Sequence, residues 1–163
     1  MPALAERLRN ISVFADLSED GLEWLASNME IREFRPGDLL AKEGDPADRL
    51  TVVLEGELRG RHETSPDDGF VYSAYAGQVT GMLPYSRLTA YPLTTRAVAP
   101  TVIAQFPAAR FPEMMKRLPM LAGRLVGVLA DRVRATTRAE QEREKLAALG
   151  KLSAGLAHEL NNP

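Results

Sequence analysis

The chain contains no cysteine, so nothing in it points to the disulfide framework of a secreted protein. It also has no apolar run close to the roughly 18 residues that span a bilayer. Its N-terminus lacks a charged region followed by a hydrophobic core, which a secretory signal would require. These absences argue against a membrane partner and predict a cytoplasmic protein.

An excess of one charge sign is also missing. The chain has 20 Lys and Arg residues against 22 Asp and Glu residues, a formal net charge of −2. Its arginine-rich run at residues 132–143 is interleaved with acids, so we expect no nucleic acid partner. A content of 45% hydrophobic and 26% charged residues is typical of a globular chain with room for one domain and an appendage.

The residue pattern changes twice along the chain. Residues 1–30 indicate a helical lead, in which Ser18 is well placed to cap a helix. Residues 31–110 are rich in glycine and β-branched residues. Residues 111–118 predict a short helix, and residues 119–163 predict one long helix.

Short apolar runs in the central region predict strands. They lie at residues 50–54, 70–72 and 101–104 and are separated by Gly, Pro and Asp. The polar stretch 61–68 predicts the tip of a hairpin, where His62 would be solvated. The pattern favours a small antiparallel β barrel.

Two segments of this region carry a family resemblance. Residues 34–44, Phe-Arg-Pro-Gly-Asp-Leu-Leu-Ala-Lys-Glu-Gly, and residues 54–58, Leu-Glu-Gly-Glu-Leu, resemble the β-roll framework of cyclic-nucleotide-binding domains. The resemblance covers about residues 12–135. It implies an α+β fold, an antiparallel β-roll or jelly-roll barrel flanked by helices, which here continues into a long C-terminal coiled-coil helix.

The ligand loop of that family departs from its pattern in this chain. In the family, a Gly-Glu pair binds the ribose hydroxyl and a later arginine pairs with the cyclic phosphate. Here Met82 follows Gly81, and Tyr91 stands where the arginine is expected. Losing both charged anchors removes hydrogen bonds worth about 1.5–3 kcal/mol each, which argues against ordinary cAMP or cGMP binding.

Arg87 offers a replacement anchor, because its planar guanidinium suits phosphate or carboxylate. The resemblance then implies an unknown small anionic or nucleotide-like ligand. Alternatively, Arg87 is an exposed loop residue or pairs with a nearby acid, and apolar neighbours fill the barrel mouth. The candidate ligand-binding residues are Gly81, Met82, Leu83, Tyr85, Ser86, Arg87 and Tyr91.

The long C-terminal helix carries a heptad pattern. Pro119 can begin this helix, and no proline follows until Pro163. Spacings of four and three residues alternate through positions 121, 125, 128, 132, 135, 139, 142, 146, 149, 153, 156 and 160, which form a seam with polar interruptions. The seam predicts a homodimer through residues 119–162, although its first part could instead bury against the roll.

The last residues carry a second resemblance. Residues 151–163, Lys-Leu-Ser-Ala-Gly-Leu-Ala-His-Glu-Leu-Asn-Asn-Pro, resemble the phosphoacceptor box of dimerising sensor histidine kinases. The resemblance implies that His158 accepts a phosphoryl group from ATP, that Glu159 orients or deprotonates its imidazole, and that Asn162 assists phosphatase chemistry. For the full-length protein it implies an ATP-binding catalytic domain, ATP with Mg²⁺, and a response regulator.

The residues themselves suit this chemistry, because an exposed imidazole nitrogen is a competent nucleophile near neutral pH. A His-Glu-x-x-His zinc protease is excluded, since Asn162 stands where its second histidine would be. No metal site is expected. The chain has no glycine-rich nucleotide box of its own, so we expect it to hold no cofactor and to be inactive as a kinase alone.

Together the zones predict the ligand-sensing region of a cytoplasmic two-component sensor histidine kinase. One alternative is a degenerate roll that dimerises or docks a partner without a ligand. The other is a transcription regulator of the catabolite-activator type, which would need a DNA-reading helix-turn-helix. Nothing after Arg138 resembles one.

Overall fold

The computed structural model describes residues 3–63 and 71–161. Its helices are α1 Leu4–Arg9, α2 Glu19–Ser27, α3 Phe111–Arg117 and α4 Pro119–Leu160, with a 3₁₀ helix at Ala108–Arg110. Its strands are β1 Glu30–Phe34, β2 Leu39–Ala41, β3 Arg49–Glu55, β4 Glu57–Arg61, β5 Tyr72–Tyr75, β6 Val79–Gly81, β7 Thr94–Ala97 and β8 Thr101–Pro107.

The described strands form two four-stranded antiparallel sheets. The first has the order β1-β8-β3-β6 and the second the order β2-β7-β4-β5. Helices precede and follow the strands along the chain. The prediction of antiparallel β-sheets flanked by helices is therefore confirmed.

The strand predicted at residues 70–72 lies further along the chain. β5 pairs with β4 from Tyr72 opposite Gly60 to Tyr75 opposite Glu57. Pairing with β4 therefore sets the position of β5, whereas the apolar run that suggested the strand ends where β5 begins. Phe70 lies outside the described residues.

The helical lead contains the predicted cap. The Ser18 hydroxyl accepts a hydrogen bond from the backbone N–H of Gly21 at 3.2 Å, at the start of α2. Leu22 and Leu25 of the same helix are fully buried. A side-chain cap and one apolar face thus define this helix, as the sequence predicts.

Side chains of the first sheet alternate between two cores, because successive residues of a strand point to opposite faces. Leu50 and Val52 of β3, with Phe106 of β8, pack against residues of the helices. Val53 and Ile103 instead pack with residues of the second sheet, inside the roll. The central strands β3 and β8 are therefore covered on both faces.

His62 is not simply solvated, which corrects the prediction. Its Nδ1 lies 3.2 Å from Oε1 of Glu43, and the backbone N–H of Glu63 donates to the other Glu43 oxygen at 3.0 Å. These two hydrogen bonds, that of Glu63 first, lower the pKa of the Glu43 carboxyl. The contacts connect the end of β4 to the turn after β2, and the predicted hairpin tip beyond Glu63 lies outside the described residues.

The chain divides into two compact units, Met1–Leu129 and Ala130–Pro163. The start of α4 belongs to the first unit, where Leu121 and Leu125 are fully buried and Val128 packs against the same core. The first part of the heptad seam therefore contributes to the core of its own unit, the alternative that the sequence left open.

The second unit consists of the remainder of α4. Its seam leucines are exposed, from 59% for Leu149 to 85% for Leu160. Helical pairing through these residues stays a prediction. No helix within residues 3–63 and 71–161 has the length and hydropathy needed to cross a membrane.

Candidate functional site

The candidate ligand loop connects β6 to β7, and its second half is fixed by backbone hydrogen bonds. The N–H of Tyr91 donates to the carbonyl of Asp45 at 2.9 Å, and the N–H of Gly44 donates to the carbonyl of Tyr91 at 2.9 Å. The N–H of Ala47 donates to the carbonyl of Thr89 at 3.1 Å. This part of the loop is held against the turn between β2 and β3.

The loop begins at Gly81, whose backbone has a φ of +75°. Gly81 lies opposite Leu50 in the β3–β6 ladder. A Cβ added at Gly81 would lie 2.4 Å from the carbonyl oxygen of Arg49, a position that backbone atoms already occupy. The neighbouring strand β3 therefore leaves room only for a glycine at this position of the loop.

Met82 and Leu83 point into the molecule. Leu83 is fully buried in the core shared by the first sheet and the helices, and Met82 packs against that core. The side chain that replaces the family's acid thus contacts apolar residues and supplies no acceptor for a ribose hydroxyl. Both residues are predicted ligand contacts. Their packing agrees better with the apolar filling role of the alternative, although the space they fill lies between the first sheet and the helices and not inside the roll.

Tyr91 replaces the family's phosphate-binding arginine. It is half-buried, and its hydroxyl donates to the carbonyl of Arg49 at 3.5 Å, at the long limit for a hydrogen bond. Burial raises the pKa of this phenol, so Tyr91 stays neutral near pH 7. The position that holds a cation in the family holds an uncharged group that faces β3.

Leu93, which is not among the predicted ligand-binding residues, fills space inside the roll. It is 8% exposed. A Cβ added at Gly60 of β4 would lie 3.1 and 3.2 Å from two Leu93 side-chain atoms. A glycine inside a strand often marks the close approach of another part of the chain. Gly60 was therefore the sequence signal that could have identified this contact. The Leu93 side chain thus occupies the space beside Gly60 that a larger residue would fill.

Tyr85 and Arg87 are the candidates that project to solvent. Tyr85 is 72% exposed with a φ of +64°, a backbone conformation that side chains other than glycine rarely adopt. Arg87 is exposed and has no hydrogen bond or ion pair within residues 3–63 and 71–161. Between them, the Ser86 hydroxyl accepts from the N–H of Leu88 at 3.2 Å. A free guanidinium beside an exposed phenol can bind an anion.

The phosphoacceptor candidates lie at the end of α4. His158 and Glu159 are successive, exposed residues of this helix. Neither side chain has a hydrogen bond or ion pair within the part of the chain that the structure describes. An exposed imidazole is accessible to a phosphoryl donor. Asn162 lies outside the described residues.

An open cleft of about 380 Å³ lies elsewhere on the first unit, between α1 and the end of β3. Ile11 and Gly77 contribute to its lining. Arg7 and Glu55, which also line it, form an ion pair at 2.6 Å. The cleft is therefore bordered by charges that neutralise each other. No group of His, Asp or Glu side chains among the described residues is arranged to hold a metal ion.

The fold and a match to a family model identify the class of the roll. Residues 31–118, more than half of the chain, match the family model of the cyclic nucleotide-binding domain. The chain belongs to this family, and its glycine framework, two sheets and flanking helices are the family's regulatory domain.

Solved structures share this fold. A Geobacter metallireducens protein named for cyclic-nucleotide binding is 28% identical with a TM-score of 0.65, and the match covers 83% of this chain and 98% of that one. The catabolite activator protein of Thermus thermophilus is 20% identical with a TM-score of 0.67, covering 83% and 62%. The second similarity concerns the fold alone.

Curated relatives are much longer proteins. Uncharacterised NTE family proteins of Mycobacterium bovis and Mycobacterium tuberculosis are 28% identical over 137 residues, which cover 83% of this chain and 23% of each relative. A lysophospholipase of Aspergillus fumigatus is 29% identical over 133 residues, 80% of this chain and 8% of the relative. The chain thus spans about a quarter or less of these relatives.

Proposed function

We propose that this chain is the regulatory region of a two-component sensor histidine kinase, in which the roll controls phosphoryl transfer to His158. The observation that carries the proposal is the continuity of α4. This helix starts with residues buried in the roll's unit, Leu121 and Leu125, and ends at Leu160, just beyond His158. A change at the start of one helix can reach its end without a separate connecting domain.

The proposed chemistry is an in-line displacement at the γ-phosphorus of ATP. A ring nitrogen of His158 attacks, a nitrogen–phosphorus bond forms, and the bond to the bridging oxygen breaks as ADP leaves. The Glu159 carboxylate orients the imidazole and accepts its proton, and Asn162 assists later hydrolysis. ATP and Mg²⁺ would be held by a catalytic domain of the whole protein, and a response regulator would take the phosphoryl group.

Contacts of the 3₁₀ helix, α3 and α4 with the helical lead supply the proposed coupling to the long helix. The guanidinium carbons of Arg110 and Arg117 each lie 5.4 Å from the centre of the Trp24 ring. Arg124 of α4 donates to the carbonyl of Val13 at 3.0 Å and to Asp16 at 2.8 Å. These contacts join α3 and α4 to the helical lead, so a shift of the lead would bias α4.

Radiolabelled ATP tests the proposal in the whole protein that contains this chain. The chain has two histidines, His62 and His158, so His62→Gln is a matched control. We expect acid-labile labelling of the wild type and His62→Gln, and none of His158→Gln. Labelling that persists in His158→Gln, or no labelling of the wild type, would contradict the proposed role of His158.

The ligand of the proposed sensor is an anion that contacts Arg87, not a cyclic nucleotide bound as in the family. Met82 and Tyr91 offer neither the acid nor the cation of the family's loop, and Leu93 fills space beside Gly60. We expect cAMP and cGMP to leave the melting temperature of the chain unchanged.

A panel of small carboxylates, cyclic dinucleotides and ATP should contain a compound that raises the stability of the wild type but not of Arg87→Ala. A ligand at 100 times its dissociation constant adds about 2.7 kcal/mol, which thermal unfolding detects. Arg138→Ala, an exposed arginine on α4, is the control. Stabilisation by cAMP, or a shift that survives Arg87→Ala, would be incompatible with this site.

Homodimerisation through α4 is part of the same proposal. Leu156 lies on the seam and is 61% exposed, so Leu156→Asp would place a charge between paired helices. We expect this change to weaken the dimer at least about tenfold, since a buried leucine contributes about 1.5–3 kcal/mol. Sedimentation equilibrium gives the measurement.

Ala154→Asp provides the matched control for the dimer. Ala154 is exposed on the same helix but lies off the seam. It introduces the same carboxylate, and the dimer should persist. Equal weakening by the two variants would mean that charge, and not the seam, controls association.

A further inference from the structure

The outward face of the second sheet carries two arginines on adjacent strands. Leu58, Ala74 and Ala97 point into the roll, so their strand neighbours point outward. The neighbours that form this arginine face are Glu57 and Arg59 of β4, Ser73 and Tyr75 of β5, and Arg96 of β7.

Two arginines are direct neighbours on the arginine face. Arg59 lies opposite Arg96 in the antiparallel β4–β7 ladder, and directly opposed side chains have Cβ atoms about 4.5–5.5 Å apart. Like charges at this separation destabilise a sheet. The opposed arginines therefore do not stabilise the sheet, and their position needs another explanation.

Contacts within the chain neutralise the pair only in part. Arg59 forms an ion pair with Glu57 of its own strand at 2.8 Å. Arg96 donates from Nη1 to the carbonyl of Gly37 at 3.1 Å and has no ion pair within residues 3–63 and 71–161. Each guanidinium has five N–H donors. Among the described residues, most donors of the pair therefore have no partner.

We propose that the arginine face binds an acidic polypeptide segment of a partner protein. The planar guanidinium fork matches a carboxylate and binds it through two parallel hydrogen bonds. Tyr75, on the neighbouring strand β5, is 51% exposed. Arginine and tyrosine are the side chains that interface centres favour, and paired arginines select carboxylates over neutral segments.

An anionic membrane surface fits the arginine face less well. Recruitment by anionic lipids depends on clusters of about 4–8 Lys or Arg residues. Here a glutamate accompanies the arginines, and the strands of this sheet contain no lysine.

The test uses the full 163-residue chain and a fluorescein-labelled peptide that alternates glutamate and serine. Fluorescence anisotropy at low salt should show binding. The affinity of Arg59→Gln/Arg96→Gln should be at least about tenfold lower. The control Arg138→Gln/Arg143→Gln removes two exposed arginines from α4 and should bind as the wild type does.

Two further readouts distinguish carboxylate recognition from nonspecific peptide binding and from misfolding of the double arginine variant. A peptide with glutamine in place of glutamate should not bind, and this comparison needs no protein variant. The melting temperature of the double variant should stay close to that of the wild type, because relief of the like-charge repulsion offsets loss of the Arg59–Glu57 ion pair and of the Arg96–Gly37 hydrogen bond. Absence of peptide binding, equal loss in the α4 control, or binding to phosphatidylserine vesicles but not to the peptide would overturn the proposal.

Discussion

Leu83→Ala should lower the free energy of unfolding by about 2–5 kcal/mol, although Leu83 stands in the candidate ligand loop. The side chain is fully buried in the core between the first sheet and the helices. Its removal leaves a cavity that a loop fixed to β3 and to the β2–β3 turn cannot easily close. Urea denaturation of the chain, followed by circular dichroism, gives the measurement.

Arg87→Ala is the matched control for Leu83→Ala, because Arg87 belongs to the same loop but is exposed and has no ion pair among the described residues. It should change the free energy of unfolding by no more than about 0.5 kcal/mol. The contrast separates a structural residue of the loop from one available to a ligand. A small loss in Leu83→Ala would mean that the loop leaves the core readily and is mobile enough to rearrange around a ligand.

The framework of the roll was predictable because its signals are local. A serine before an acidic first turn specifies the N-cap of α2, and Pro119 begins α4. The glycines of the two resembling segments adopt positive φ at positions 37, 44 and 56. Each of these features depends on a few neighbouring residues, and sequence displays them directly.

The directions of the loop side chains were not predictable in the same way. Strands have a period of two and helices a period of 3.6, but a loop has no period that assigns its residues to core or solvent. Met82 and Leu83 point inward, and Tyr85 and Arg87 point outward, because backbone bonds to Arg49 and to the β2–β3 turn position this loop. Those contacts are distant in sequence.

The two proposed binding surfaces have different chemical roles. The ligand loop offers one guanidinium, Arg87, that has no hydrogen bond or ion pair among the described residues, whereas the arginine face offers the opposed pair Arg59 and Arg96. A small anion can satisfy one guanidinium, but a pair held by two strands is better matched to successive carboxylates of a chain. Regulation of α4 would then depend on both a small ligand and a protein partner.

Gly81→Ala should be among the most destabilising single changes in the candidate loop, at about 3–5 kcal/mol. Two costs add, since a left-handed conformation is unfavourable for alanine and the new Cβ would lie 2.4 Å from the Arg49 carbonyl oxygen. Relief would require β3 and β6 to move apart, which breaks the ladder between Gly81 and Leu50. Chemical denaturation measures the loss.

Gly77→Ala carries only the first of these costs, so comparison with it isolates the second. Gly77 has a similar φ of +86°, but apart from its own chain neighbours no heavy atom of the described residues lies within 4 Å of an added Cβ. This change should therefore cost only about 1–2 kcal/mol. The difference between the two variants measures how strongly the backbone at Arg49 fixes the start of the loop. If Gly81→Ala lowered the free energy of unfolding no more than Gly77→Ala, β3 would be able to move away from the loop. The fold itself would then not require the loop glycine, and its role would be in ligand binding.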